Sequence, residues 1–434
     1  MSERATRQPP AVVSASAVAA QIPAADLPRL RSRTRWTLFA ISALGSTGYI
    51  AAITVGTLVA AEFTGGAALG GLPTTAATIG TAMAASFIAL LMLRVGRRRG
   101  LLFGLAVGVL GGLTILVSLA LESIPLLLLG SALAGFANGS SNLSRYIAAD
   151  LVPPAGRASA IGMVVWGSTI GAVSGPNLTA PAGVVAKALG FPELAGAYAL
   201  TVLFIGLAWV LGALMLRPEP YALADPSALA MRTVEDGPAP SLGRILARPT
   251  VLLALVTLVA SQVVMVLIMT MTPLHLIDHG HGLGTVGIVL SAHTFGMFAL
   301  SPISGRLTDR FGSPRVIAAG LATLAGAALL AGLAPADGGL LLTLALFLLG
   351  YGWNMCFVAG SALLTAGLAL GERTRVQGIA DGLIWGTAAV ASFSSGVVVA
   401  AASYTALGFL GIALLAIPIG LLVFHGSRRS NPAV

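Results

Sequence analysis

Two pairs of side chains at helical spacing are the most chemically suggestive feature of this sequence. Met265 and Met269 are four residues apart, as are His293 and Met297, and residues four apart share one face of a helix. Met269 with His293, and Met265 with Met297, are both centred on residue 281. Two antiparallel helices joined by a turn near His281 would therefore carry all four side chains in one layer, about 14 Å inside the second helix.

The donor atoms of this predicted layer are soft to intermediate. Thioether sulfur and neutral imidazole suit monovalent copper, whereas calcium and magnesium need oxygen ligands. Zinc sites favour cysteine, histidine and carboxylate. The methionines have a second interpretation, because methionine often fills apolar helices. His293 favours a functional interpretation, since a histidine at mid-membrane depth is costly without a partner.

Four further polar residues stand near the turn: His275, Asp278, His279 and His281. They could guide a cation inward from the outer surface. Alternatively, they are solvated turn residues that follow Pro273, which we expect to end the regular helix because proline lacks the amide proton.

The composition says which elements position these residues. Of 434 residues, 56% are apolar and 9% charged, and the mean hydropathy is +0.93, so this is an integral membrane protein. Apolar runs of about 20 residues, each long enough to cross a bilayer as a helix, predict an all-α protein with twelve transmembrane helices. The predicted spans are 36–61, 71–93, 101–121, 124–148, 158–178, 194–216, 250–275, 284–304, 315–334, 339–365, 376–402 and 404–425.

The positive charge follows the predicted topology. Of the 24 Lys and Arg residues, all but Lys187 fall in the termini, in the even-numbered loops or at adjoining helix ends. The positive-inside rule then predicts a multi-pass protein of the cytoplasmic membrane with both termini in the cytoplasm. Residues 1–35 are interpreted as a disordered basic tail, not a signal peptide, and 426–434 as a second tail. The basic loops lack the aromatic residues of a nucleic-acid surface.

The chain repeats itself at a nearly constant offset. A hydrophilic linker, 217–249, separates two predicted six-helix bundles, 36–216 and 250–425. "FANGS" at 136–140 recurs as "FVAGS" at 357–361, and Trp166-Gly167 recurs as Trp385-Gly386. A duplicated six-helix unit explains such ordered matches.

The loop "GRLTDRFGSPR", 305–315, resembles the Gly-x-x-x-Asp-Arg-x-Gly loop of the major facilitator superfamily. The resemblance implies two pseudo-symmetric bundles, with the substrate bound near the midplane and exposed to each side in turn. Asp309 is expected to sit at the positive N-terminus of a neighbouring helix and to act in gating. The first-half loop, "LRVGRRRG", keeps Gly96 and the arginines, but Leu91 to Leu93 stand where the acid would be.

The M-x-x-x-M and H-x-x-x-M motifs, with Met265 and His293 separated by 28 positions, resemble the CcoA-like transporters, the CalT group of that superfamily. The resemblance implies that Met265, Met269, His293 and Met297 handle copper as the imported substrate. The group also contains riboflavin importers, and its copper importers carry further cysteines, whereas Cys356 is the only one here.

Three ionisable residues are candidates for coupling or gating. Arg145 and Asp150 lie near one end of the fourth span, and Asp381 lies inside the eleventh. Arg145 paired with Asp381 is a candidate gate, and a carboxylate at this depth could take up a proton. The alternative is that all three reach interfacial water.

"GAVSGPNL", 171–178, resembles a Gly-x-x-x-Gly-Pro signature of proton-coupled drug exporters, although such glycines also pack membrane helices.

Taken together, these features lead us to expect a transporter and not an enzyme. Its expected substrate is copper, with a small organic solute such as riboflavin, or drug efflux, as alternatives. We expect a monomer in the lipid bilayer, with no permanently bound cofactor and no nucleic-acid partner. A receptor or scaffold on the same fold is the alternative from a different class.

Overall fold

The computed structural model describes residues 18–64, 69–225, 241–335 and 339–430. Within these ranges the chain is helical, without strands, and twelve helices are long and apolar enough to span a membrane. They are α1 Leu27–Thr64, α2 Leu72–Val95, α3 Arg97–Leu121, α4 Ile124–Asp150, α5 Pro154–Ala188, α6 Ala195–Met215, α7 Pro249–Asp278, α8 Gly284–Phe311, α9 Ser313–Leu333, α10 Gly339–Leu364, α11 Leu370–Ala401 and α12 Tyr404–His425. The predicted fold class and number of spans are confirmed.

The helix ends differ from the predicted spans. α1 begins at Leu27, so residues 27–35 of the predicted tail are helical, and α5 continues to Ala188. α11 begins at Leu370, which puts Asp381 about three turns inside the helix. Hydropathy locates the apolar middle of a helix, whereas hydrogen bonding of the terminal amides and carbonyls decides where it stops. Residues 1–17 and 431–434 of the predicted tails, and residues 226–240 of the linker, lie outside the described residues.

The hairpin between α7 and α8 corrects one prediction. Pro273 does not end α7, which runs on to Asp278 with the proline inside it. Membrane helices tolerate proline because neighbouring groups can satisfy the carbonyl that it leaves free. The turn itself lies at His279–Gly282, close to the predicted centre at His281, and Gly280 adopts a positive φ of 78°. Further along, α8 consists of two helices, Leu283–Phe298 and Ser301–Phe311.

The chain divides into two compact units. The first comprises Met1–Pro153, Gly167–Ala239 and Leu368–Trp385, and the second comprises Pro154–Trp166, Pro240–Gly367 and Gly386–Val434. Each unit thus includes a segment from the other half of the sequence, taken from α5 or from α11.

Small residues let the helices of each unit approach closely. In the first unit, a Cβ on Gly80 of α2 would lie 2.0 Å from the carbonyl oxygen of Ala132 on α4. In the second, a Cβ on Gly350 of α10 would lie 2.3 Å from the carbonyl oxygen of His293 on α8. Since lipid gives helices no hydrophobic reason to associate, such backbone contact is the main source of packing energy.

Candidate substrate site

His293 on α8 is buried and held in one orientation. Its side chain is 1% exposed, and its Nδ1 lies 2.9 Å from the carbonyl oxygen of Leu346 on α10. A carbonyl only accepts, so Nδ1 carries the proton and Nε2 keeps the lone pair. Nε2 has no hydrogen-bond partner among the described residues. His293 Nε2 is thus a buried hydrogen-bond acceptor without a donor.

The two methionines of α7 lie at the same depth as His293 and Met297. Trp353 Nε1 of α10 donates to Gln262 Oε1 of α7 over 2.8 Å. α7 and α10 run in opposite directions. A residue that follows Gln262 on α7 is therefore level with the residue that precedes Trp353 on α10 by the same number of positions. Met265 is therefore level with Gly350 and Met269 with Leu346.

The α8 residues reach these same two levels. Leu346 accepts the His293 hydrogen bond, and a Cβ on Gly350 would meet both the His293 carbonyl and the Met297 amide. Met265 and Met269 share a helix face with Gln262, which faces α10. Met265 is buried, whereas Met269 and Met297 are half-buried. The four predicted residues are therefore at two levels one turn apart, on two helices that both pack against α10. That they bind one substrate together stays a prediction.

Carboxylates are absent from this layer in the part of the chain that the structure describes. No group of three or more His, Cys, Asp or Glu side chains there could hold a metal ion. Cys356 is buried on α10. A cation in this layer would consequently be bound by one imidazole and thioethers, a donor set that suits monovalent copper.

The histidines at the C-terminal end of α7 form a ring stack. The His275 ring lies 4.2 Å from the Tyr404 ring at 12° and 4.3 Å from the His279 ring at 51°. His279 Nδ1 is 2.7 Å from the His275 carbonyl oxygen, so Nδ1 donates and Nε2 is an acceptor. Asp278 and His279 are exposed, and His281 is half-buried beside Gly339.

Arg145 and Asp381 form a buried ion pair. Arg145 Nη2 lies 2.5 Å from Asp381 Oδ1, and the side chains are 2% and 1% exposed. Tyr146 donates its hydroxyl to the same oxygen over 3.2 Å, while Asp381 Oδ2 has no hydrogen-bond partner among the described residues. Because both side chains are buried, the alternative in which Arg145 and Asp381 reach interfacial water does not describe this structure. Whether the pair gates or couples transport remains a prediction.

Asp150 belongs to a second charged group that includes two arginines not selected from the sequence. Arg97 Nη2 lies 2.6 Å from Asp150 Oδ2 and 3.0 Å from Gln377 Oε1, and Arg373 Nη1 lies 3.6 Å from Asp150 Oδ1. The sequence places both arginines in basic loops, where they read as topology signals. No local pattern reveals a partner more than fifty residues away.

Asp309 lies at the N-terminus of the regular part of α5. Its carboxylate oxygens accept from the Ala158 amide at 3.0 Å and the Ser159 amide at 2.9 Å. The structure thus puts a negative charge at the positive end of a helix. Its gating role remains a prediction.

The Gly-x-x-x-Gly-Pro stretch of α5 packs against α1. Cβ atoms on Gly171 and Gly175 would come within 2.4 Å of Ser46 and 2.9 Å of Ile50, respectively. Close helix packing therefore accounts for both glycines, and drug export stays an untested alternative.

An aromatic cluster on α10, absent from the sequence predictions, adjoins the same layer. Trp353 stacks on Phe357 at 4.5 Å and meets Phe298 of α8 edge-on at 5.9 Å. The sequence could have indicated this cluster, because Trp353 and Phe357 are four residues apart and so share one face of α10. A planar ring system could stack there, next to the Gln262 amide.

The model of the Major Facilitator Superfamily matches residues 35–286 and 277–434. The chain belongs to this superfamily. Its members are transport proteins, so the chain is a membrane transporter of a small substrate and not an enzyme.

Two relatives are similar over most of their length. The chain is 36% identical over 404 residues to the uncharacterized MFS-type transporter YddS of Bacillus subtilis, covering 92% of each protein. It is 31% identical over 389 residues to the riboflavin transporter RfnT of Brucella anthropi, covering 88% of this chain and 93% of that protein. The human organic anion transporter MFSD10 has a similar fold, with a TM-score of 0.69 at 18% identity, covering 90% of this chain and 99% of the other.

Proposed function

We propose that this superfamily member imports copper through the layer formed by Met265, Met269, His293 and Met297. The observation that carries the proposal is the buried His293 imidazole, whose Nδ1 is tied to Leu346 while Nε2 keeps a lone pair. A hydrogen bond on one ring nitrogen fixes the tautomer that leaves the other free to bind a metal. Without a ligand, an unpaired polar atom at this depth is costly.

The donor chemistry supports monovalent copper as the substrate. Three thioethers and one imidazole carry no charge, so the site offers little to calcium or magnesium. Weak neutral ligands also suit a carrier, which must release its substrate as well as capture it. His275, Asp278, His279 and His281 would guide the ion from the outer end of α7 toward the layer.

The rest of the proposal concerns location and assembly. The carrier acts as a monomer in the cytoplasmic membrane, with both termini in the cytoplasm and no resident cofactor. Substrate moves by alternating access, and the Arg145–Asp381 pair couples or gates the cycle together with Asp309.

Riboflavin uptake is the second candidate, and two observations favour it. RfnT, a riboflavin transporter, is 31% identical to this chain. The cluster of Trp353, Phe357 and Phe298 offers aromatic faces to a flavin ring, and the Gln262 amide offers a hydrogen-bonding neighbour. Stacking on an aromatic side chain is the interaction that a flavin ring favours.

Uptake of radiocopper and of riboflavin in parallel, by cells expressing the wild type and variants, separates the candidates. We expect Met265→Ala/His293→Ala to abolish copper uptake and Met271→Ala, on another face of α7, to retain it. Copper uptake that is unaffected by the double substitution would contradict the copper assignment. Riboflavin uptake lost in Trp353→Ala and kept in Trp353→Phe would support the second candidate.

A further inference from the structure

The chain just after α6 is buried, although its sequence reads as the start of a hydrophilic linker. We call residues 218–225 the post-α6 segment. It contains a 3-10 turn, Pro220–Leu223, and Tyr221 is 1% exposed. Tyr221, Ala222 and Ala224 pack in one apolar cluster with Leu370 at the start of α11. A segment that only connected two bundles would not need to bury these side chains.

Glu219 of this segment caps α3. Its Oε1 accepts from the amides of Arg97 at 2.6 Å and Arg98 at 3.3 Å. These amides at the start of the helix have no partner within the helix, and a side-chain oxygen satisfies them. The N-cap residue Gly96 has no side chain to do this, and a Cβ there would lie 2.8 Å from the Glu219 carboxyl carbon. The cap of α3 is thus supplied by a residue from beyond α6.

Tyr221 links the same segment to α11. Its hydroxyl lies 2.8 Å from Thr374 Oγ1, and its ring lies 5.2 Å from the Arg97 guanidinium carbon. Arg97 in turn bonds to Asp150 of α4 and Gln377 of α11. Through Tyr221, one short segment therefore contacts a charged group shared by three helices.

Backbone contacts complete the attachment. The Asp225 amide donates to the Asp150 carbonyl at 2.9 Å. Arg31 of α1 donates from Nε to the Leu223 carbonyl at 2.9 Å and from Nη2 to the Ala224 carbonyl at 3.0 Å. The segment is thus held by side chains and by its own peptide groups.

We propose that the post-α6 segment is a latch that holds the start of α11 against α3 and α4, with Glu219 and Tyr221 as its positioning residues. Alternating access requires the helices at each end of a carrier to separate in turn. Separation of α11 from α3 and α4 breaks either the Tyr221–Thr374 bond or the Glu219 cap, so the latch releases once in each cycle. This role is independent of the substrate.

Spin-label distances test the latch without any substrate. Arg99 on α3 and Arg375 on α11 are exposed and follow Arg98 and Thr374, which the segment contacts, so Arg99→Cys/Arg375→Cys in a Cys356→Ser background reports their separation. We expect Glu219→Ala to increase the ratio of long to short distances about fivefold, the effect of losing a helix cap. Glu219→Gln is the matched control, because its amide oxygen accepts from the same two N–H groups.

Tyr221→Phe provides a second variant if Glu219→Ala does not fold. It removes only the hydroxyl bond to Thr374, and we expect a smaller shift in the same direction. A distance distribution that is unchanged in folded Glu219→Ala or, failing that, in Tyr221→Phe would overturn the proposal. A fall in thermal stability without a population at longer distance would overturn it too, because the segment would then be a static brace.

Discussion

Arg145 on α4 and Asp381 on α11 are 236 residues apart in the chain and share a buried ion pair of 2.5 Å. Both belong to the first compact unit, which therefore includes a segment, Leu368–Trp385, from the second half of the sequence. Tyr146 packs its ring under the Arg145 guanidinium, 4.2 Å away, and shares the Asp381 oxygen.

Breaking this pair should destabilise the protein strongly. We expect Asp381→Asn to cost about 3–5 kcal/mol, because it leaves a buried guanidinium without its counter-charge. Thermal unfolding of the purified protein measures the change. The exposed Lys187–Glu193 pair, 63% and 53% accessible, is the control, and Glu193→Gln should cost about 1 kcal/mol or less. Equal effects at the two sites would contradict the prediction.

Substitution of the histidines that follow α7 should slow copper uptake but not abolish it. We expect His279→Ala/His281→Ala to slow uptake at low copper and to match the wild type when copper is abundant, because these side chains raise the local supply of the ion. His293→Ala should abolish uptake at every concentration. Concentration series of radiocopper uptake distinguish the two effects, and full activity of both variants would exclude the scheme.

Gly350 should be intolerant of any side chain. A Cβ there meets the His293 carbonyl at 2.3 Å and the Met297 amide at 3.0 Å, so Gly350→Ala must displace α8 from α10. We expect a loss of about 1–3 kcal/mol from overpacking and reduced uptake, because His293 and Met297 move together. Gly326→Ala, where a Cβ meets nothing within 4 Å, is the matched control in thermal unfolding and uptake. A Gly350→Ala variant as stable and active as the control would rule out this contact.

The latch should respond to pH. Burial raises the pKa of the Glu219 carboxyl above its ordinary value of 4.5, opposed by hydrogen bonds from the Arg98 and Arg97 amides and by the Arg97 charge. The docked segment therefore binds the proton more tightly than the released one. Docking is strongest at pH values below the ordinary carboxyl pKa and weakens as pH rises through the raised pKa.

Distance measurements at several pH values check this response. The Arg99–Arg375 population at long distance should grow as pH rises, and Glu219→Gln should remove most of the dependence. Tyr221 and the Arg97 guanidinium are the other groups near the carboxyl. Burial also raises the pKa of Tyr221, so it stays neutral over the acidic and neutral range, and arginine does not lose its charge in proteins. An undiminished pH response in Glu219→Gln would assign the titration to another group.

The sequence predicted features that depend on local chemistry. Twelve apolar runs of membrane length are each sufficient to define a helix, and the matching depths of Met269 and His293 follow from a hairpin centred near His281. Contacts between segments that are distant in the chain could not be predicted from the sequence. Glu219 caps α3 from 122 positions away, and no helical or strand period connects the two. The tautomer of His293 likewise depends on a carbonyl of α10. Pro273 was misread because the rule for soluble helices was applied inside a membrane.

The exchange of segments between the two compact units has a consequence for biosynthesis. Helices α1 to α4 are translated well before Leu368–Trp385, and Arg97 and Arg145 then lack Gln377 and Asp381. The first unit is complete only when the eleventh helix emerges from the ribosome. A chain cut in the linker should therefore yield a first fragment that is degraded alone and rescued by co-expression of the second.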